Sequence, residues 1–141
     1  MTPTALLVAT LLSALSAAPP CPHFDADTVA LSGRLERRVY PGRPNYESVA
    51  AGDALDTVFV LRLTRPVCAR ASASDTAHRA IREVQLEFPR GEAPFAMAQL
   101  GRGVTLRGTL HEWAWGWHHV PVLLRTSVGG ARRVRPQPRA A

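Results

Sequence analysis

Leu100-Gly101-Arg102-Gly103-Val104-Thr105-Leu106-Arg107-Gly108-Thr109-Leu110-His111, then Glu112-Trp113-Ala114-Trp115-Gly116-Trp117, then His118-His119-Val120-Pro121-Val122-Leu123-Leu124: this run decides the fold. Its two outer parts alternate apolar and polar residues, the period of a half-buried strand. Val104, Leu106, Gly108 and Leu110 line the inner face of one strand; Val120, Val122 and Leu124 line that of the other. The aromatic middle reads as a turn at Trp115-Gly116, which sets Glu112 opposite His119 and Trp113 opposite His118. Just upstream, Pro94 to Leu100 reads as a short helix with Phe95, Met97, Ala98 and Leu100 apolar. Gly101 is its stop, because glycine enters left-handed backbone without a Cβ penalty. A helix feeding a Gly-containing strand and a final hairpin is how a small five-stranded barrel of the OB type ends.

The upstream chain supplies three more strands. Thr28 to Tyr40 alternates, with Gly33 marking a bend or bulge of the kind a small barrel uses to curl. Pro41-Gly42-Arg43-Pro44-Asn45 is turn chemistry and opens a long loop reaching Asp56. Thr57 to Cys68 is the second strand, with Pro66 at its exit, and Ala69 to His78 reads as a loop of small polar residues. Ile81 to Phe88 is the third, with Val84, Leu86 and Phe88 on one face and Gln85 and Glu87 on the other. The expected fold is all-β with one short helix, an OB-like barrel in the order β-β-β-α-β-β. A β-sandwich needs about seven strands; an open α+β sheet is the alternative.

Residues 1–18 carry no charged side chain, Leu6 to Leu15 is apolar, and Ser16-Ala17-Ala18 supplies small residues for cleavage. This predicts a secretory signal peptide over 1–18, with an N-terminal helix of the mature fold as the alternative. Pro19-Pro20 end the run before the roughly 20 apolar residues that a membrane span needs. Pro20 before Cys21 also argues against a lipoprotein. After export, Cys21 and Cys68 meet an oxidising compartment, where a disulfide is the default over two free thiols. The topology agrees, since one precedes the first strand and the other ends the second.

The net charge of +6 suggests nucleic acid, but its distribution argues otherwise. There is no lysine, and Arg132, Arg133, Arg135 and Arg139 lie in the last residues with no acid near them. The other thirteen arginines face eleven acids, so the folded part, 19–128, is close to neutral. Residues 129–141 read as a basic disordered tail.

Several of these segments resemble a known family. They are Val29-Ala30-Leu31-Ser32-Gly33-Arg34-Leu35, Pro41-Gly42-Arg43-Pro44-Asn45-Tyr46-Glu47-Ser48, Leu61-Arg62-Leu63 with Pro66 and Cys68, Gly108-Thr109-Leu110, and His118 to Leu124. Together they look like the uncharacterised bacterial family called domain of unknown function 4431, over about Cys21 to Thr126. The resemblance implies a secreted, OB-like domain without an assigned activity. This chain departs from it at the turn, where Trp113, Trp115 and Trp117 replace a polar, histidine-rich sequence.

Three groups of residues are candidate sites. The alternating Trp113, Trp115 and Trp117 offer flat apolar rings for sugars or bases, at a loop that flanks the ligand face of OB folds; the plain alternative is that they cap the barrel. Asn45 and Tyr46 in the first long loop can hydrogen-bond a ligand, or simply pack that loop. His111 and His119 would share a face, while the adjacent His118 and His119 point apart on a regular strand. A weak zinc or copper site is therefore less favoured than histidines that order the hairpin. Ser48 has no triad context, no phosphate-gripping glycine loop exists, and the pairs Asp25/Asp27 and Asp53/Asp56 lie in polar loops. No catalytic residue, cofactor or metal is expected.

The expectation is a monomeric, secreted or periplasmic binding or accessory module of the cell envelope. Asn45, Tyr46, Trp113, Trp115, Trp117 and His118 would take its ligand, with a glycan first in line. The alternative is a protein partner docked on the Trp hairpin. The mature chain has no membrane span, and nucleic acid is disfavoured.

Overall fold

The computed structural model describes residues 20–71, 77–91 and 93–133. The expected signal peptide and residues 134–141 of the expected tail lie outside the described residues. Five strands and one helix follow in the order β1 (Thr28–Pro41), β2 (Leu55–Arg70), β3 (Ala77–Glu87), α1 (Ala93–Ala98), β4 (Gly103–Glu112) and β5 (Val122–Arg133). They close into a barrel in the spatial order β1-β2-β3-β5-β4. All neighbours are antiparallel except β3 and β5, which meet in a short parallel seam from Gln85↔Leu123 to Glu87↔Arg125. With the helix on the crossover from β3 to β4, this is the expected OB-like arrangement.

The period-two pattern fills the barrel. Leu31 and Leu35, Leu61, Val84 and Leu86, Val104, Leu106 and Leu110, and Val122 and Leu124 form one buried cluster. Burying each such side chain contributes about 1.5–3 kcal/mol. From α1, Ala96 joins the cluster, and Phe95 and Leu100 pack against it. The helix tightens at its end, with Leu100 N–H donating to Met97 O, and Gly101 takes φ 74 as its stop. Curling so few strands into a cylinder brings backbones close. A Cβ at Gly33 would collide with the carbonyl of Arg62, and one at Gly108 with the carbonyl of Arg125.

Cys21 and Cys68 are joined in a disulfide, with Cα atoms 5.2 Å apart. The closed loop spans 47 residues, which corresponds to about 4 kcal/mol in the chain-entropy account. The bridge and two backbone bonds, Phe24 N–H to Arg70 O and Arg70 N–H to Pro22 O, lay residues 21–24 along β2. Phe24 is thereby seated in the core.

Several boundaries differ from the sequence reading. The loop expected over Ala69 to His78 is shorter, because β2 continues to Arg70 and β3 starts at Ala77. Register shifts between Arg62 and Ala69 break the alternation there, and Pro66, which has no N–H for the ladder, sits among them. The tail does not begin at 129, since β5 runs on to Arg133 and pairs Leu106↔Ala131, Thr105↔Arg132 and Val104↔Arg133. A register shift between Leu106 and Gly108 lets the strand pass Gly129-Gly130, so pairing with β4 overrides the local turn signal. Val120 precedes β5 and packs outside the barrel against Val58 and Val60.

Candidate functional site

Two loops meet over the outer face of β1, β2 and β3. Loop 42–54, between β1 and β2, is closed by its own residues. Gly42 N–H donates to Ala54 O, Ala54 N–H to Arg43 O, and Tyr46 N–H to Gly42 O. Asp53 is buried inside it and accepts from three backbone amides: Asn45 at 2.8 Å, Glu47 at 2.8 Å and Ser48 at 2.9 Å. The amides of Ser48, Asn45 and Glu47 hold its carboxyl below the usual carboxylate range. Tyr46 takes φ 61, a left-handed backbone rare for a bulky residue and found where surrounding structure enforces it. Asn45 is exposed and Tyr46 half-buried.

Loop 113–121, between β4 and β5, is not the tight hairpin expected. Glu112 pairs with Val122, and Trp113 N–H donates to Pro121 O, so neither Glu112–His119 nor Trp113–His118 is a cross-strand pair. The loop instead folds back onto β2 and β3. Gln85, an outward residue of β3, is buried beneath it and makes three bonds to its backbone. Its amide nitrogen donates to Trp117 O at 3.0 Å, and its oxygen accepts from His119 N–H at 2.7 Å and Val120 N–H at 3.3 Å. Val120 fills an apolar patch with Val58 and Val60, against which Tyr40 packs.

The two adjacent histidines serve this docking. His118 is buried, and its Nδ1 accepts from Ala114 N–H at 3.2 Å and Trp115 N–H at 3.3 Å. Those donors assign the ring proton to Nε2, which donates to Glu87 at 3.1 Å. His119 stacks on Tyr40 with ring centroids 4.4 Å apart and planes 6° from parallel. Its Nε2–H donates to Asp56 at 2.8 Å.

What this leaves outside is aromatic. Trp113, Trp115 and Trp117 are 56%, 59% and 45% exposed, too open to be barrel caps. Trp113 is pinned by a bond from its indole N–H to His118 O. Trp115 and Trp117 lie with centroids 5.7 Å apart and planes 11° from parallel. At Gly116 the two loops touch, since a Cβ there would stand 2.9 Å from the ring of Tyr46.

Of the residues singled out in the sequence, Tyr46 is therefore brought to the tryptophans. Asn45 precedes it in the chain, and its amide is spent on Asp53. His118 is buried beneath the loop, where its bonds shape the backbone. His111 and His119 do not share a site: His111 bonds Asp25, and His119 bonds Asp56. Among the described residues, no group of three or more His, Cys, Asp or Glu side chains is placed to hold a metal. Gln85, Asp53, Asp56 and Glu87 were missed as organisers, because each looks like an ordinary surface polar residue in sequence.

No helix among the described residues is long and apolar enough to cross a membrane. Comparisons of this chain with protein-family models, with curated proteins and with solved structures return no match.

Proposed function

We propose that this protein is a secreted or periplasmic binding module of the cell envelope, which takes a glycan on the rings of Trp115 and Trp117 beside Tyr46. One observation carries the reading: two nearly parallel, largely exposed indoles stand on a loop held down by Gln85, His118 and His119. Trp115 and Trp117 stack on each other and still present apolar surface to water, and the bonds of the loop to Gln85 and His118 hold the pair outside the barrel. Such a preorganised platform suits the flat apolar faces of sugar rings. Stacking of this kind is worth roughly 1–3 kcal/mol per ring where bases have been measured.

The disulfide, a cross-link that persists in oxidising surroundings, and the apolar run Leu6 to Leu15 support the compartment. The likeness of the Pro41–Ser48 and His118–Leu124 segments to domain of unknown function 4431 belongs to the same proposal. The protein acts by binding, as a monomer, without cofactor or metal.

Intrinsic tryptophan fluorescence titrated with cell-wall glycan fragments tests this. The emission shifts and saturates, and Trp115→Ala weakens the affinity by about tenfold, the low end of a 1–3 kcal/mol stacking loss. A flat titration, together with an envelope protein captured by the wild type and lost with Trp115→Ala, overturns the glycan in favour of a protein partner.

A further inference from the structure

We infer that a groove at the other end of the barrel, formed by Arg34 and Arg62 of the same face and by Arg37 from the neighbouring rim, binds acidic groups carried by the ligand glycan. The inference rests on the glycan reading above and narrows it to acidic polysaccharides. It starts from the strand register. Arg34 on β1 and Arg62 on β2 are direct cross-strand partners. Like charges in that position repel and destabilise a sheet unless an anion lies between them.

The chain does not supply that anion in full. Arg62 faces Glu83 of β3, and one oxygen of Glu36 is 4.0 Å from Arg62. The other oxygen is bound by Arg38 at 3.0 Å, and Arg38 also takes Glu83 at 2.8 Å. Glu83 above all, then Tyr40, stabilises the charged form of Arg38. Both carboxylates are thus committed to Arg38. Among the described residues, Arg34 and Arg37 form no ion pair. All three arginines of the groove are solvent-exposed.

They also line a shallow, open groove of about 600 Å³, together with Glu36, Leu100 and Gly101. That volume lies within the range of small-ligand sites, roughly 300–1,000 Å³. The bare Gly101 leaves room on one side, with the Arg34 guanidinium 3.8 Å from where a Cβ would stand. The fork geometry of arginine matches carboxylate and phosphate oxygens two at a time.

Position ties this groove to the tryptophans. Arg34 precedes Tyr40 by six residues on β1, about 20 Å at the usual rise per residue. Tyr40 is the residue on which His119 of the Trp loop stacks. One sugar cannot reach both ends; an extended chain of several can. Glu36 and Glu83 interleave with the arginines, which opposes a polymer charged at every step. The disulfide likewise points to a compartment poor in nucleic acid. A glycan with spaced carboxylates fits both conditions.

The experiment compares hyaluronan oligosaccharides, which carry a carboxylate on every second sugar, with their methyl ester, which keeps the rings and removes the charge, using titration calorimetry on the whole protein. The wild type is expected to bind the acid at least tenfold more tightly than the ester, with the gap narrowing in high salt. Arg34→Gln combined with Arg62→Gln abolishes the gap and leaves ester binding unchanged. Its melting temperature does not fall, because the change removes a repulsive pair. Equal affinity for acid and ester, a gap that survives the double variant, or no binding of either form overturns the groove. Acid bound through the arginines with no ester binding keeps the groove and overturns the Trp platform. Tighter binding of a single-stranded oligodeoxynucleotide of equal charge overturns the assignment to a glycan.

Discussion

The two loops over the β1–β3 face are fixed by opposite means. Loop 42–54 is organised from within: Asp53, near its end, gathers the amides of Asn45, Glu47 and Ser48. Loop 113–121 is organised from outside, by Gln85, Glu87, Asp56 and Tyr40 reaching up from the barrel. A loop of the first kind keeps its form wherever its ends are held. A loop of the second kind is only as ordered as the strands below it. The tryptophans sit on the second kind, so their geometry is a property of the barrel surface.

Gln85→Leu breaks that difference most severely. It strips the partners from Trp117 O and from the amides of His119 and Val120. Leaving buried backbone groups unpaired costs about 1–3 kcal/mol each, and water recovers part of this once the loop lifts, so a net loss of about 3 kcal/mol is expected. Urea unfolding followed by tryptophan emission measures it as a lower midpoint, with red-shifted emission already in the folded state. Amide exchange at Asn45, Glu47 and Ser48 stays slow. If those amides speed up as much as those of loop 113–121, the two loops are one unit and the contrast fails.

A smaller effect is expected at the tip of the docked loop. His119→Phe keeps a flat ring over Tyr40 and gives up the bond to Asp56. The cost is about 1 kcal/mol, in the range of one hydrogen bond to a charged, part-exposed group. His119→Ala loses the stacked ring as well and costs more. Thermal unfolding of the pair separates stacking from hydrogen bonding, and equal melting temperatures for the two variants would mean that the stack contributes nothing.

Acid sharpens the contrast from the other side. The Asp53 carboxyl sits below the ordinary carboxylate range because three amides favour its charged form. Its stabilising contribution is therefore complete above about pH 4, the unfolded value, and is lost as pH falls through the depressed folded value. Loop 42–54 should loosen at that point, seen as faster exchange at Asn45, Glu47 and Ser48. Asp53→Asn removes the acid dependence, since a neutral amide no longer titrates. Unchanged acid dependence in that variant would place the titrating group elsewhere.

The barrel was legible in the sequence because burial has period two and closure has glycines. Leu31, Leu35, Leu61, Val84, Leu106 and Leu110 all repeat that rule, and Gly33 reads as a bend. The cysteine pair was legible from compartment and strand position. The candidate site was legible only in its exposed half. Alternate tryptophans and an Asn-Tyr turn announce themselves, whereas the residues that position them do not. Gln85 and Glu87 read as the solvent side of a strand, because nothing local tells that a loop from residues 113–121 will cover them. The same blindness produced the wrong hairpin register: a tight turn at Trp115-Gly116 satisfies local rules, but Val120 is instead buried against Val58 and Val60 of β2. It also made the arginine groove invisible, since Arg34 and Arg62 become neighbours only through the β1–β2 register.

The mildest change tests the point where the loops meet. In Gly116→Ala the new methyl would stand 2.9 Å from the edge of the Tyr46 ring, so the ring must swing aside. Tyr46 is half-buried and the crowded atoms belong to its ring edge, so the expected cost is about 0.5 kcal/mol, below the roughly 1–3 kcal/mol of overpacking in a well-packed core. In a Tyr46→Ala background the same methyl meets nothing, and the cost should vanish. That non-additivity is the signature of direct contact. The tyrosine holds an unfavoured left-handed backbone here, which makes sense if its ring is required beside the tryptophans. An identical cost in both backgrounds would separate the loops, and with them the tyrosine from the aromatic platform.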